Sequence, residues 1–256
     1  MMYRYNNLGI AVHQAALHLL TSGETVSSKR WQGKESSGSE FSTYEVTDLT
    51  FLAPIEPDLK TLQDLVKPNL PWADRHFEER VGGEPLNPGE QYKHWPFYKK
   101  DIFREVEGEK FTHTYMERFW SQHIFGVRYQ YGDLNDVISL LLRDPLTRQA
   151  YFPVWFPEDT GASHGGRVPC TLGYHFLCRK GKLHIFYPIR SCDLLRHFRD
   201  DVYLACRLLL WVLEKLQSSD SVWAQITPGD LTMNIYSLHI FEADIPVLRY
   251  KLERGT

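Results

Sequence analysis

The stretch from Arg167 to Asp201, RVPCTLGYHFLCRKGKLHIFYPIRSCDLLRHFRDD, constrains the fold more than any other part of the chain. Tyr174 to Leu177 and Leu183 to Tyr187 are rich in aromatic and β-branched residues, and Arg179-Lys180-Gly181-Lys182 between them supplies a turn. That pattern predicts a β-hairpin. Cys170 stands just before the first strand and Arg190-Ser191 just after the second, so antiparallel pairing brings both to one end of a sheet. A thiol then faces a guanidinium, which can bind an anionic substrate bidentately and help to depress the cysteine pKa, the thiolate being the nucleophilic form.

The remaining elements read as a mixture of helices and strands in one domain, residues 1–256, of the α+β class. With 256 residues, 43% of them hydrophobic, the chain is long enough for one large core. A net charge of −3 offers no basic excess for nucleic acid or an anionic membrane. No apolar run is long enough to span a bilayer, and the start MMYRYNNLGI lacks the order of a signal peptide, which points to the cytoplasm. Cysteines at 170, 178, 192 and 206 have no zinc-binding spacing and suit a reducing compartment.

In chain order, Asn7 to Leu20 has apolar residues at helical spacing, and the strand-like Phe41 to Phe51 follows a polar loop holding Lys29, Arg30 and Lys34. Helices are expected at Leu59 to Val66, at Trp72 to Val81 and at Leu134 to Leu142, with Tyr151 to Phe156 a buried strand. Glu84 to Lys100 reads as a loop. Asp201 to Leu216 is apolar enough to be a buried helix, Gln225 to Phe241 reads as two strands around Pro228-Gly229-Asp230, and Val247 to Leu252 as a last strand.

Pro169-Cys170, the 20-residue interval (190 − 170) to Arg190-Ser191-Cys192-Asp193, Arg143-Asp144-Pro145-Leu146-Thr147-Arg148 upstream, and Gly229-Asp230 and Ser237-Leu238-His239 downstream together resemble the thymidylate synthase superfamily. The resemblance covers Tyr115 onward well and the first hundred residues loosely. It implies a large sheet packed face to face across a homodimer interface and flanked by helices. It also implies 5,10-methylenetetrahydrofolate as cofactor and a pyrimidine nucleotide as substrate. Cys170 becomes the nucleophile. Arg30 (with Lys29 and Lys34 as competitors), Arg190 and Ser191 are carried to the substrate phosphate, and Arg148 to the partner subunit's phosphate site, Gln149 replacing a second arginine. Glu79, or Glu78 beside it, is the glutamate that orders water near the pyrimidine. Trp95 and Tyr115 fall to the folate side, Trp95 reading equally well as core filling. Asp193 falls to a main-chain amide or the base edge, and His239 to the sugar hydroxyl, with Phe241 where the family has tyrosine.

The eleventh residue after the arginine (190 + 11 = 201) is asparagine in thymidylate synthases and aspartate here, with Asp200 adjacent. A carboxylate has no donor for uracil O4, but it accepts from the exocyclic amine of cytosine and can share a proton with N3. Phage deoxycytidylate hydroxymethylases look similar at this point and also carry a threonine after the nucleophile, as at Thr171. The resemblance therefore implies hydroxymethylation of dCMP at C5 through a Cys170–C6 adduct, as for modified phage DNA precursors. Thymidylate synthases cover the site with an apolar C-terminal tail, and here the chain ends four residues after Leu252, which favours water over hydride as the final acceptor unless Glu84 to Lys100 closes the pocket. Methyl transfer to dCMP, the uracil-directed reactions and a non-catalytic nucleotide- or RNA-binding relative are the alternatives. The last is opposed by the presence of both Cys170 and Arg190.

Overall fold

The computed structural model describes residues 2–28, 30–31, 34–35, 41–98, 106–107, 110–120, 133–160 and 167–254, without the side chains of 30–31, 34–35 and 106–107. In chain order the elements are β1 (Met2–Arg4), α1 (Leu8–Ser22), β2 (Glu24–Ser27), β3 (Arg30–Trp31), β4 (Lys34–Glu35), β5 (Ser42–Pro54), α2 (Leu59–Val66) and α3 (Trp72–Val81). There follow β6 (Val106–Glu107), β7 (Lys110–Phe111), α4 (Tyr115–Phe119), α5 (Leu134–Arg143), β8 (Tyr151–Pro153), β9 (Gly173–Arg179), β10 (Lys182–Ile189), β11 (Cys192–Asp193), α6 (Phe198–Ser219), β12 (Thr227–Phe241) and α7 (Ile245–Arg254).

A mixed sheet in the order β1-β5-β12-β10-β9-β8 forms the centre, with β2 added to β5 and β11 to β12. The hairpin β9–β10 turns at Lys180 and Gly181, whose φ angles of 51° and 73° are both left-handed, as a two-residue turn between twisted strands requires. One sheet face, with Phe51, Met233, Ile235, Ile185 and Phe176, is fully buried. Helix α6 lies against it over β10 and β12 and meets α2, α3 and α5. Its Val202, Tyr203, Cys206, Leu209 and Leu216 are all buried, which is why this stretch is hydrophobic almost all round. The opposite face alternates with the first and is wetter, leaving Tyr151 and Tyr236 44% and 46% exposed.

Three expectations are corrected. Val247 to Leu252 lies within helix α7, where Leu248 and Leu252 are a helical turn apart and Pro246 sits in the first turn, the place a helix tolerates it. The two strands around Pro228-Gly229-Asp230 are one, β12, because Gly229 lets the chain pass His184: a Cβ there would come within 2.6 Å of the His184 ring. Helix α6 begins at Phe198 rather than at Asp201, so Asp200 and Asp201 both lie inside its first turn. No helix among the described residues is long and apolar enough to cross a membrane.

Candidate active site

The hairpin sets the site's first edge. The Arg190 amide donates to the Cys170 carbonyl at 2.9 Å, and Thr171 bridges to Ile189 beside it. The Arg190 side chain is braced by Nε on the Pro169 carbonyl (2.8 Å) and Nη2 on the Val168 carbonyl (3.0 Å), which leaves Nη2 3.9 Å from Cys170 Sγ. Burial pushes the Cys170 thiol up, and Arg190 and Arg167 only partly offset it against the opposing charge of Asp201. The expectation of a depressed thiol is therefore corrected, because desolvation outweighs the guanidinium. Ser191 follows at a half-buried position.

The first turn of α6 supplies two carboxylates that point differently, as adjacent helix positions must. Asp200 is buried and accepts from the Asn69 amide and from Asn69 Nδ2, both at 2.8 Å, so it clamps the segment leading into α3. Asp201 turns to the other side, where its Oδ2 receives the Cys192 thiol at 3.5 Å. Burial raises the Asp201 carboxyl to about 7, against the lowering pull of Arg80. Asp193 accepts from the amides of Leu195 and Arg196 at 3.0 Å and from Arg196 Nη1 at 2.8 Å, so its carboxylate shapes the turn into α6. His239 lies opposite it in the β11–β12 register, and burial lowers its pKa and keeps the ring neutral.

Tyr115 opens α4 behind a capping box formed by Thr114 and Glu117. Its hydroxyl receives the Thr171 hydroxyl at 3.2 Å, and Thr171 meets Tyr187 at 2.9 Å, so a buried run of hydroxyls stands next to the nucleophile. Burial holds the Tyr115 phenol protonated.

Helix α3 sends adjacent side chains to different partners. The Glu79 carboxylate accepts from the amides of Glu90 and Gln91 and thereby ties down the following loop, while Glu78 pairs with Arg207 at 2.7 Å on the surface. The α3 side chain that reaches Tyr115 is Arg80, with its guanidinium 4.1 Å from the ring centroid. The signal was present in the sequence. Ala73, Phe77 and Arg80 fall on one helical face, and a cation at the third of these core positions has to be accounted for. Trp95 stacks on His197 at 4.6 Å and lies 6.3 Å from Trp72, an aromatic wall leading away from the hairpin. His197, half-buried and neutral with a pKa lowered to about 4 by desolvation, is a further member of this wall.

Two expected residues are not brought to this cluster. Arg148 is exposed just before β8, and β8 pairs with β9 at Tyr151↔His175, further along the strand and away from Cys170. The Arg30 backbone lies in the β3–β4 hairpin, and its side chain is outside the described residues, as are Lys29 and the side chain of Lys34. No cluster of metal-ligating side chains occurs among the described residues.

No protein-family model matches the chain. It is 27% identical over 148 residues to a protein of Methanosarcina barkeri named "Putative thymidylate synthase", covering 57% of this chain and 61% of that one. A Methanosarcina acetivorans protein of the same name is 26% identical over 150 residues. The "Thymidylate synthase" of Rhodopseudomonas palustris is 22% identical over 180 residues, or 63% of this chain and 57% of its own length. The matches thus span about three fifths of those relatives. A mixed sheet flanked by helices, with a cysteine and an arginine side by side at one end of it, together with these similarities, supports the thymidylate synthase superfamily.

Proposed function

We propose that the protein is a folate-dependent pyrimidine nucleotide C5 transferase, and in particular that it converts dCMP to 5-hydroxymethyl-dCMP. The observation that carries the choice of base is Asp201. It is the first-turn carboxyl turned toward the cysteines, and with a pKa of about 7 it is half protonated near neutrality. Such a group shares its proton with cytosine N3 and accepts from the 4-amine, whereas its ionised form has no donor for uracil O4.

Arg190 draws the nucleotide phosphate, with Ser191 beside it and Arg30 as a further cation. His239 meets the sugar. Phosphate binding places Cys170 Sγ against C6 of the base, and the thiolate is the attacking form. Burial disfavours that form, so the Cys170 proton leaves to solvent before attack, and the Arg190 guanidinium offsets part of the cost of the thiolate that remains. The Asp201 proton then moves towards N3 as charge builds on the ring. Trp95 and Tyr115 offer flat surface to a pterin, and these residues fit 5,10-methylenetetrahydrofolate, which when bound supplies one carbon at the oxidation level of formaldehyde. The Tyr115–Thr171–Tyr187 hydroxyls provide polar anchorage for water next to the nucleophile, in keeping with a hydroxymethyl product.

The half-exposed sheet face bearing Tyr151, Tyr236 and the partly buried Leu52 and Phe186 is the surface for a homodimer, and Arg148, remote from its own Cys170, serves the partner's phosphate. The relatives' name favours a second reading, methyl transfer to dUMP, which Asp201 opposes. The test is mass spectrometry of the product formed from equimolar dCMP and dUMP with methylenetetrahydrofolate. Gain of a hydroxymethyl group on dCMP is expected. Conversion of dUMP alone overturns the base assignment, and a methyl group on dCMP overturns the acceptor.

A further inference from the structure

Arg80 is a buried cation whose neighbours do not account for it. Its residue is 6% exposed. Its Nε donates to Nε2 of His76 at 2.9 Å, its carbonyl accepts from Trp120 Nε1 at 2.9 Å, and the guanidinium carbon lies over the Tyr115 ring, 4.1 Å from its centroid. His76 is itself neutral, with burial and Arg80 lowering its pKa to about 4. Among the described residues no carboxylate comes within ion-pair distance of Arg80, although α3 carries two glutamates directly before it. One of them serves the loop and the other the surface. A guanidinium taken out of water and left without a counter-charge is costly. Its persistence at a core position calls for a negative charge that arrives from elsewhere.

The direction in which Arg80 acts is visible from the groups that feel its charge. They are Asp201, Asp200, Tyr115 and Tyr174. Tyr115 touches Thr171, the residue after the nucleophile, and Cys170 and Asp201 also feel one another. By way of Tyr115 and Thr171 the cation stands on the α3 side of Cys170, and its charge also acts on Asp201 of α6. Opposite charges sharing a dry pocket ordinarily close into an ion pair. Here the guanidinium lies over Tyr115 and bonds His76, and it forms no ion pair with Asp201.

We propose that Arg80 stabilises the negative charge that develops on the pyrimidine ring when the Cys170 thiolate adds to C6, a role that rests on the function proposed above. In that step the S–C6 bond forms, the C5–C6 π pair moves to C5, and its charge spreads through C4 to N3. A fixed cation in a water-poor site is most effective for such transient charge, because no solvent has to reorganise around it. C5 then takes a proton from solvent. Reversal removes the original C5 hydrogen as a proton, and the thiolate is expelled as the C5–C6 double bond is restored, so the step can be followed without folate.

The experiment is deuterium exchange at C5 of dCMP in heavy water, read by NMR, for the parent, Arg80→Gln and Arg80→Lys. A second readout is the rate of Cys170 alkylation by iodoacetate relative to iodoacetamide, located by peptide mapping. Arg80→Gln is expected to slow exchange by a hundredfold or more with dCMP affinity changed less than threefold, and to lower the iodoacetate-to-iodoacetamide ratio several-fold. Arg80→Lys, which keeps the charge but not the guanidinium, is expected to recover at least a tenth of the parental exchange rate. Undiminished exchange in Arg80→Gln, or an equal loss in the lysine variant, overturns the role of Arg80 while leaving the proposed function standing. A parent protein that exchanges C5 hydrogen in neither dCMP nor dUMP overturns the function itself, and the role of Arg80 with it.

Discussion

The sulfur of Cys170 lies 3.9 Å from Nη2 of Arg190 while the main chains of the same two residues are joined by a 2.9 Å hydrogen bond, so the hairpin that aligns the strands also sets the thiol against the guanidinium. If that thiol is the nucleophile, Cys170→Ala abolishes folate-dependent turnover and leaves the dCMP dissociation constant within about threefold, a shift under roughly 0.7 kcal/mol. Turnover in the variant, measured with the parent as reference, would sink the assignment.

The raised Cys170 thiol has a consequence in pH. Burial is the largest influence on it and Arg190 the first to oppose it, so alkylation of Cys170 in the ligand-free protein is expected to rise with pH to an inflection above that of an ordinary cysteine. Arg190→Met moves the inflection further up. A rate profile inflecting below 8 would show that Arg190 prevails over burial.

Asp201 makes stability depend on pH with a definite sign. Its folded pKa of about 7 is above the 3.8 of a free aspartate, so the folded state holds the proton more tightly. The contribution is fully present below the unfolded pKa and is lost as pH rises through about 7, the groups facing it being Arg80, Cys192, Asp193 and Asp200. Asp201→Asn, which does not ionise, therefore gains on the parent between pH 5 and 8 by about 2 kcal/mol after allowance for the carboxyl's partial contact with water. Thermal melts across that range measure it, and parallel curves for the two proteins would contradict it. The same variant is expected to shift preference from dCMP toward dUMP, because an amide restores the donor that O4 needs.

Asp200, the neighbour, is expected to behave oppositely. Its two bonds to Asn69 hold the chain entering α3, and Asp200→Ala leaves a half-buried amide without its acceptor. A loss of about 2 kcal/mol in chemical denaturation is expected. No change would mean that the Asn69 segment finds another partner.

Arg118 and Asp159 form a buried bidentate pair, with Nη1–Oδ2 at 2.7 Å and Nη2–Oδ1 at 2.9 Å, that fastens α4 and hence Tyr115 to the turn after β8. Arg118→Ala strands a buried carboxylate and should cost about 3–5 kcal/mol in urea unfolding. Arg118→Ala/Asp159→Ala, with both charges gone, should recover part of that loss, and a fully additive double variant would show that the two do not act as a pair.

The elements legible in the sequence were those whose local signals agreed. Helices α2 and α3 and the β9–β10 hairpin stand where periodicity and turn chemistry put them, because each is bounded by a proline, a glycine or a cap in its own few residues. Helix α7 was missed because Val247 and Leu248 favour a strand locally, and only packing of Leu248 against the core selects the helix. The continuity of β12 was missed because Pro228-Gly229-Asp230 reads as a turn until His184 is seen beside Gly229.

For the candidate site, sequence alone determined the hairpin ends, and so the meeting of Cys170 with Arg190, since strand pairing follows from patterns a few residues long. Which way the charges beside them point was decided only by tertiary structure. Asp200 and Asp201, and Glu79 and Arg80, are adjacent in the chain and chemically available alike. Helix rotation and the positions of Asn69, the Glu90 and Gln91 amides and Tyr115 send one of each pair to brace a loop and the other to the pocket, and those partners come from elements distant in sequence.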